Sequence, residues 1–201
     1  MQPRPGAASA NSRGAQPDTQ AGAVVVALGA NLPGPYGPPE ATLDAALTRL
    51  AALGLDITAR SRWWRTAPVP VSDQPWFVNG VVAVNTALDP QAVLALLHQV
   101  EREFGRVRSA RNEPRVVDLD LVCHGRMVIS TDTMTVPHPR LTERAFVLLP
   151  LQDILPGWRH PVTGTPLSAL IAALPADQTA DPITPPGWSP SRSLAERECS
   201  D

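Results

Sequence analysis

Two aspartates alternate with leucines in the apolar segment RVVDLDLV, which spans residues 115–122. In a β-strand, residues two positions apart point to the same face, so Asp118 and Asp120 would project their carboxylates side by side, with the leucines facing the core. Neighbouring carboxylates repel unless a cation lies between them, and such hard oxygen ligands suit magnesium that carries a nucleotide phosphate. A half-buried strand with an acidic outer face would show the same pattern.

The positive side chains near these aspartates are all arginines, because the chain contains no lysine. Mechanisms that need a Schiff-base lysine or a P-loop lysine are therefore excluded for this chain. Gly105 and Pro114 bracket a polar loop that is long for a helix-to-strand connection. Such a loop could form a solvated ion-pair network, or it could close over a polyphosphate beside a metal site. The arginines in and directly after the loop are Arg106, Arg108, Arg111 and Arg115.

Two further polar residues stand in unusual surroundings. Asn79 lies in a valine-rich segment, and a buried asparagine needs hydrogen-bond partners. Its amide could bind the donor–acceptor edge of a heterocycle, with Phe77 or Phe146 stacking on the ring, or it could equally stabilise a bulge in the strand. His138 lies between two prolines in a stiff extended segment. A lone histidine is usually structural, but here it could donate to a phosphate.

Hydrophobic periodicity predicts the elements that must position these residues. The predicted order is strand, helix, strand, strand, helix, strand, which indicates an α+β fold of the ferredoxin-like βαββαβ type. We expect an antiparallel sheet with helices on one face, and additional C-terminal helices that could cover the other. The predicted strands are 23–29, 55–66, 76–86 and 115–123, with an extended piece near Val136; the predicted helices are 39–53, 89–105, 141–153 and 166–174.

Length and composition predict one folded domain between two irregular ends. We expect a disordered leader at 1–22, the domain at 23–175 and a disordered, proline-rich tail at 176–201. A formal charge of -2 gives no general attraction to nucleic acid or anionic membranes. No apolar run approaches the length of a membrane span, and two cysteines give no disulfide framework. We therefore expect a cytoplasmic monomer without nucleic-acid or membrane partners.

Four stretches between about Val24 and Pro156 together resemble the 6-hydroxymethyl-7,8-dihydropterin pyrophosphokinases of folate biosynthesis. Each motif alone is weak, but the four in this order with fitting gaps are specific. The resemblance implies a ferredoxin-like fold and pyrophosphate transfer from ATP to the pterin hydroxymethyl group, with AMP as the leaving group. The stretches are ALGANL, RTAPV followed by DQPWFVN, EREFGRVRSARNEPRVVDLDLV, and VPHPRLTERAFVLLPL.

The resemblance also implies roles for individual residues. Asp118 and Asp120 would bind two magnesium ions, and Arg106 and Arg115 would stabilise charge on the transferred group, so that these four residues are the catalytic set. Catalysis would rest on positioning and electrostatics. The implied ATP-binding residues are Glu101, Arg108, Leu121, Thr135, His138 and Arg144. The implied pterin-binding residues are Thr66, Pro68, Phe77, Asn79 and Phe146.

Two other functions are compatible with a ferredoxin-like fold. A non-enzymatic binding module would bind its ligand without turning over ATP, and neutralising either aspartate would carry no penalty. The run of arginines into the Asp-x-Asp pair argues against this. An RNA-binding domain of similar topology would show exposed aromatic residues on its central strands and a basic surface. The mildly acidic chain lacks both features.

Overall fold

The computed structural model describes residues 22–70, 72–106 and 114–184. Its elements follow the predicted order, with short additions after the fourth predicted strand. They are β1 (Val24–Ala30), α1 (Pro39–Ala52), β2 (Asp56–Arg60), β3 (Trp63–Thr66), β4 (Phe77–Asn85), α2 (Pro90–Glu103), β5 (Asp118–His124), β6 (Ile129–Ser130), β7 (Thr135–Val136), a 3-10 turn (Leu141–Glu143), α3 (Ala145–Ile154), α4 (Leu167–Ala172) and β8 (Ala180–Ile183).

The main sheet has the strand order β5-β1-β4-β3-β8, and β2 also pairs with β4. All of these pairings are antiparallel. β1 and β4, which are the first and third strands of the βαββαβ pattern, therefore lie side by side at the centre of the sheet, as in the ferredoxin-like arrangement. The predicted α+β fold with an antiparallel sheet is confirmed. β6 and β7 form a separate two-stranded ribbon.

Helices cover both faces of the sheet, and alternate residues of β1 enter different cores. Val26 and Leu28 pack in the core that contains Leu47 of α1 and Leu97 of α2. Val25 packs in the second core, with the side chains of α3 and α4. Because neither face is left to solvent, every residue of β1 is buried. The expectation that the C-terminal helices cover the second face is thus confirmed.

The predicted strand at 55–66 is two strands in the structure. The break falls at Ser61, whose hydroxyl donates to the carbonyl of Arg62 at 2.7 Å and accepts from the amide of Val81 at 3.0 Å. A side chain that bonds the backbone locally competes with regular strand pairing. The chain therefore changes direction here, and β3 continues along the part of β4 that carries Asn79.

The expected disordered tail is wrong for its first part. Residues Ala180–Ile183 form β8, which pairs antiparallel with β3 and places Ala180 opposite Thr66. Pro182 made this segment read as irregular, but an edge strand tolerates proline because one side of its backbone needs no partner. Residues 1–21 of the expected leader at 1–22, and residues 185–201 of the expected tail, lie outside the described residues.

The helix that precedes the arginine-rich loop has the predicted start. The Asp89 side chain accepts from the amide of Ala92 at 2.8 Å, and Pro90 occupies the first helical position. Gly105 follows the helix with φ +82°, a conformation that favours glycine. Within the described part of the chain, no helix is both long enough and apolar enough to cross a membrane.

Candidate active site

The two aspartates project from β5 as predicted. Leu119 and Leu121 are buried in the core beneath the sheet, whereas the Asp118 and Asp120 side chains are 25% and 40% exposed on the other face. β5 lies at one end of the strand order, beside β1, and both carboxylates are partly exposed there. The alternation in the sequence therefore produces a half-open acidic pair.

A row of residues crosses the sheet from the acidic pair. Asp118 lies opposite Gly29 of β1, and Gly29 lies opposite Asn79 of β4. Directly opposed residues share a face, so Asp118 and Asn79 are two strand spacings apart, roughly 10 Å. A Cβ at Gly29 would come within 2.6 Å of Asn79 Oδ1. Glycine at this position therefore lets the Asn79 amide oxygen lie directly over the backbone of β1.

Asp118 is held by two arginines. Arg115 Nη1 lies 2.7 Å from Asp118 Oδ2, and Arg106 Nη1 contacts both Asp118 Oδ1 and Glu101 Oε1. Burial lowers the pKa of Arg106, but the carboxylates of Asp118 and Glu101 more than offset this and raise that pKa above its usual value. This guanidinium therefore remains charged at any physiological pH.

Glu101 lies beneath this cluster rather than in open space. Its side chain is 2% exposed, and Oε1 accepts from the backbone amide of Leu119 at 2.9 Å as well as from Arg106. A buried carboxylate needs such partners because its desolvation is costly. Glu101 therefore joins α2 to β5 at the residue between the two aspartates. The ATP contact expected of it stays a prediction.

Arg144 closes the other end of the acidic pair. Its Nη1 lies 3.3 Å from Asp120 Oδ2, and its guanidinium carbon lies 5.3 Å from the centre of the Phe146 ring. The residue directly precedes α3, so the start of this helix carries both a cation and an aromatic ring toward the site. This contact is compatible with a cation–π interaction.

His138 lies near Asp120 and Arg144 in a narrow pocket. Its backbone amide donates to the carbonyl of Val122 at 2.8 Å, which attaches the segment to the free edge of β5. Nδ1 accepts from the amide of Arg140 at 3.1 Å. Burial, and then the positive charge of Arg144, lower the pKa of His138. The ring is therefore neutral near pH 7, with its proton on Nε2, available for donation.

A cleft of about 170 Å³ opens beside the acidic pair. On one side the cleft is lined by Asp118 and Arg115. It is therefore continuous with the charged cluster, which consists of Asp118, Asp120, Arg106, Arg115 and Arg144. The Asn79 amide donates to Thr66 Oγ1 at 2.6 Å inside it. All the residues predicted to contact a heterocycle line this cleft, namely Thr66, Pro68, Phe77, Asn79 and Phe146.

Other residues that shape the site were not predicted from the sequence. Asn31 Oδ1 accepts from the amide of Arg115 at 2.8 Å, and its Nδ2 donates to Gln74 Oε1 at 3.3 Å and to the carbonyl of Pro75 at 3.2 Å. Asn31 thus connects the start of β5 to the segment before β4. It belongs to the ALGANL stretch, which was the available signal. Gln178 also lines the cleft, and its tail segment gave no signal.

Some predicted residues either lie outside the described part of the chain or are described but do not line the cleft. Arg108 and Arg111 lie outside the described residues. The Leu121 side chain is buried in the core, so any ligand contact of this residue would use its backbone. Thr135 is exposed on β7 and is not among the residues that line the cleft.

The acidic pair has the chemistry of a magnesium site. Mg²⁺ is usually held by one or two carboxylates, several waters and substrate phosphates, and Asp118 and Asp120 supply two partly exposed carboxylates. In the described ranges, no group of three or more His, Cys, Asp or Glu side chains could hold a metal. An ion here would therefore need oxygens from a substrate or from water.

Comparison with known proteins gives a consistent assignment. A sequence model of the family described as 7,8-dihydro-6-hydroxymethylpterin-pyrophosphokinase (HPPK) matches residues 25–156. A 2-amino-4-hydroxy-6-hydroxymethyldihydropteridine pyrophosphokinase of Pseudomonas aeruginosa is 43% identical over 152 residues, which cover 76% of this chain and 91% of that protein.

Several relatives are much longer than this chain. The folic acid synthesis protein fol1 of Pneumocystis carinii is 36% identical over 163 residues, which cover 81% of this chain and 21% of that protein. The chain spans about a quarter of the length of such fungal and plant relatives. A solved Plasmodium falciparum HPPK-DHPS has a TM-score of 0.57 at 15% identity, covering 75% of this chain and 40% of that one, and so shares the fold.

Proposed function

Because the chain belongs to the 7,8-dihydro-6-hydroxymethylpterin-pyrophosphokinase family, we propose that it transfers pyrophosphate from ATP to 6-hydroxymethyl-7,8-dihydropterin in folate biosynthesis. The products are AMP and the pterin diphosphate. The observation that carries the proposal is the cross-strand row Asp118–Gly29–Asn79. The Asp118 carboxylate and the Asn79 amide share one face and line the same cleft, which supports a role for the first in phosphate transfer and for the second in binding the heterocycle.

The cleft suits the flat pterin ring. The pyrimidine part of a pterin presents adjacent hydrogen-bond donors and acceptors, and an asparagine amide offers both kinds of group. Asn79 donates one hydrogen to Thr66, which fixes the amide plane while its second hydrogen and its oxygen serve the ligand. Phe77 and Phe146 line the cleft and supply apolar surface for the ring.

The charged cluster suits the triphosphate. Arg106, Arg115 and Arg144 contact the acidic pair and can exchange carboxylate for phosphate oxygens when ATP binds, since guanidinium binds either group with paired hydrogen bonds. Two magnesium ions held by Asp118 and Asp120 would supply charge neutralisation on the phosphate oxygens. Neutral His138 can donate from Nε2 to ATP.

The transfer itself needs the acceptor hydroxyl in line with the β-phosphorus. The oxygen of the pterin hydroxymethyl group attacks that phosphorus, the bond between the β-phosphorus and the oxygen bridging to the α-phosphate breaks, and AMP leaves with the electron pair. The hydroxyl proton is released to water. Asn79 and the aromatic walls orient the acceptor, while the arginines stabilise charge on the transferred group. Positioning and electrostatics of this kind account for most of the catalysis in phosphoryl transfer.

An AMP-release assay tests this function. We expect AMP to form from ATP and Mg²⁺ only when 6-hydroxymethyl-7,8-dihydropterin is present, and chelation of the metal to stop the reaction. AMP release at the same rate without the pterin would reject the acceptor. Pterin binding by calorimetry without any turnover would instead support the non-enzymatic binding module. The monomeric state and the cytoplasmic location stay predictions, and two plant relatives are named as mitochondrial proteins.

A further inference from the structure

The C-terminal segment at residues 178–183, here called the strap, touches two walls of the cleft beside the acidic pair. This cleft is called the acceptor cleft, because the pterin acceptor is proposed to bind in it. The first wall is the end of β3 and the residues after it, Thr66 to Pro68; the second is the start of α3, from Glu143 to Phe146. Gln178 lines the cleft between these walls. The strap is distant in sequence from both walls and contacts each of them, so it joins one wall to the other.

The strap is bound to the first wall through its backbone. Ala180 is the register partner of Thr66, and the amide of Ala67 donates to the carbonyl of Thr179 at 3.2 Å. These pairings extend the main sheet by one strand at the position where Thr66 accepts from Asn79. The strap therefore backs the wall that carries the predicted heterocycle contact.

Gln178 binds the second wall through its side chain. Its Oε1 accepts from the amide of Ala145 at 2.8 Å, and its Nε2 donates to the carbonyl of Glu143 at 2.7 Å. Ala145 is the first residue of α3, and the Arg144 side chain makes no capping bond there. The first amides of a helix lack partners within the helix, so a distant glutamine supplies the missing cap.

These two bonds enclose Arg144. They hold the peptides on either side of it, and this residue pairs with Asp120 and lies over the ring of Phe146. We propose that Gln178 is a positioning residue for the acceptor: through the strap it sets the width of the cleft and holds Phe146 against the bound ring. This inference rests on the proposed function.

Three variants separate this role from general stability. Gln178→Met keeps the length of the side chain and removes both bonds; Gln178→Glu keeps the acceptor for Ala145 and removes the donor to Glu143. Gln152→Met changes an exposed glutamine on α3 and serves as the matched control. The KM of the pterin, the KM of ATP, kcat and the melting temperature are measured for each full-length variant.

We expect Gln178→Met to raise the pterin KM by roughly five- to tenfold, because pterin binding must then order the Phe146 side chain that Gln178 otherwise helps to hold in place. We expect the kcat of Gln178→Met to change by less than about twofold. The pterin KM of Gln178→Glu should lie between those of wild type and Gln178→Met, and Gln152→Met should have the same constants as wild type. An unchanged pterin KM in Gln178→Met would overturn the proposal. The proposal would also be overturned if kcat and the melting temperature fell while the KM values of both substrates rose together, because that pattern indicates a structural role only.

Hydrogen exchange at the Ala145 amide keeps this test independent of the proposed function. We expect faster exchange in Gln178→Met than in wild type, whether or not the enzyme turns over, and unchanged exchange would reject the capping bond. Failure of the wild-type protein to release AMP would reject the function alone. In that case the affinity of each variant for 6-hydroxymethyl-7,8-dihydropterin is measured by calorimetry. A lower pterin affinity in Gln178→Met than in wild type supports the positioning role of Gln178, and equal affinities overturn that role.

Discussion

The acceptor cleft and the charged cluster adjoin each other but are built in opposite ways. The cleft is held by backbone pairing and by side chains whose partners lie in the protein, such as Asn79 on Thr66. The charged cluster consists of acids and arginines that neutralise one another across Asp118 and Asp120. The first region is preformed for its ligand, whereas the second must exchange its partners to receive one.

The energies of the two kinds of contact support this difference. Arg115 and Arg144 keep an anionic partner when a phosphate oxygen replaces the carboxylate oxygen, so the exchange leaves neither guanidinium unpaired. A buried amide that loses its partner costs about 1–3 kcal/mol. Asn79 therefore stays in place because its partner lies within the protein, whereas the arginines can exchange partners because the incoming ligand is itself an anion. Arg106 stands between these cases, since buried Glu101 retains it when Asp118 is released.

The largest expected effect comes from a substitution in the charged cluster that should lower turnover without weakening pterin binding. Asp118→Asn removes one charge from the proposed metal site and leaves Arg115 and Arg106 without their shared anion. We expect kcat for AMP release to fall by about 10³-fold, corresponding to several kcal/mol of lost charge stabilisation. Calorimetry should show pterin affinity within about threefold of wild type in the absence of ATP.

A matched aspartate controls this experiment. Asp44 pairs with Arg60 at 2.6 Å on the opposite side of the sheet, and its side chain is 51% exposed. Asp44→Asn should leave both kcat and pterin affinity unchanged. If Asp118→Asn kept full turnover, the metal assignment would be wrong and the contrast between the two regions would disappear.

A smaller effect is expected from the cleft. Asn79→Ala removes the amide that we propose binds the pterin, and it leaves the Thr66 hydroxyl without the Asn79 hydrogen bond. We expect the pterin KM to rise about tenfold with a smaller change in kcat, because one or two hydrogen bonds are lost. Steady-state kinetics with saturating ATP measures both constants.

Asn85→Ala provides the comparison on the same strand, since Asn85 is exposed at the end of β4. This variant should behave as wild type. If Asn79→Ala lowered kcat without raising the pterin KM, Asn79 would act with the charged cluster. The proposed distinction between a pterin-binding cleft and a phosphate-binding cluster would then be incorrect.

The smallest expected effect concerns pH. The pKa of His138 is lowered in the folded protein by burial and by Arg144, so the unfolded chain binds its proton more readily. The stability linked to this group is fully present above the unfolded pKa of about 6.5 and is lost as pH falls through the folded value. The free energy of unfolding should therefore decrease less between pH 7 and pH 5 in His138→Asn than in wild type. Equal decreases in urea titrations would contradict this.

The sequence predicted the parts of the site that lie on regular elements. Alternation around Asp118 and Asp120 correctly predicted their shared face, because strand geometry is fixed by two-residue periodicity. The unusual setting of Asn79 predicted a buried amide with a partner, and the structure supplies Thr66. The apolar run at 23–29 predicted a strand there, and the structure shows that β1 is buried throughout.

The contacts that depend on distant parts of the chain could not be predicted. Gln178 follows α4 in a proline-rich stretch, and nothing local indicates that it caps α3 from 33 residues away. The burial of Glu101 depends on the packing of α2 against β5, which no pattern within α2 specifies. Both are tertiary hydrogen bonds, and local propensity carries no information about their partners.

The strand formed by residues 180–183 has a consequence for self-association. Without it, β3 would end the sheet with unpaired amide and carbonyl groups, which can recruit strands from other molecules. β8 covers that edge and presents a new one that is short and contains Pro182, which has no amide hydrogen to donate, beside the charged Asp181. The same four residues that back the acceptor cleft therefore also protect the sheet against aggregation.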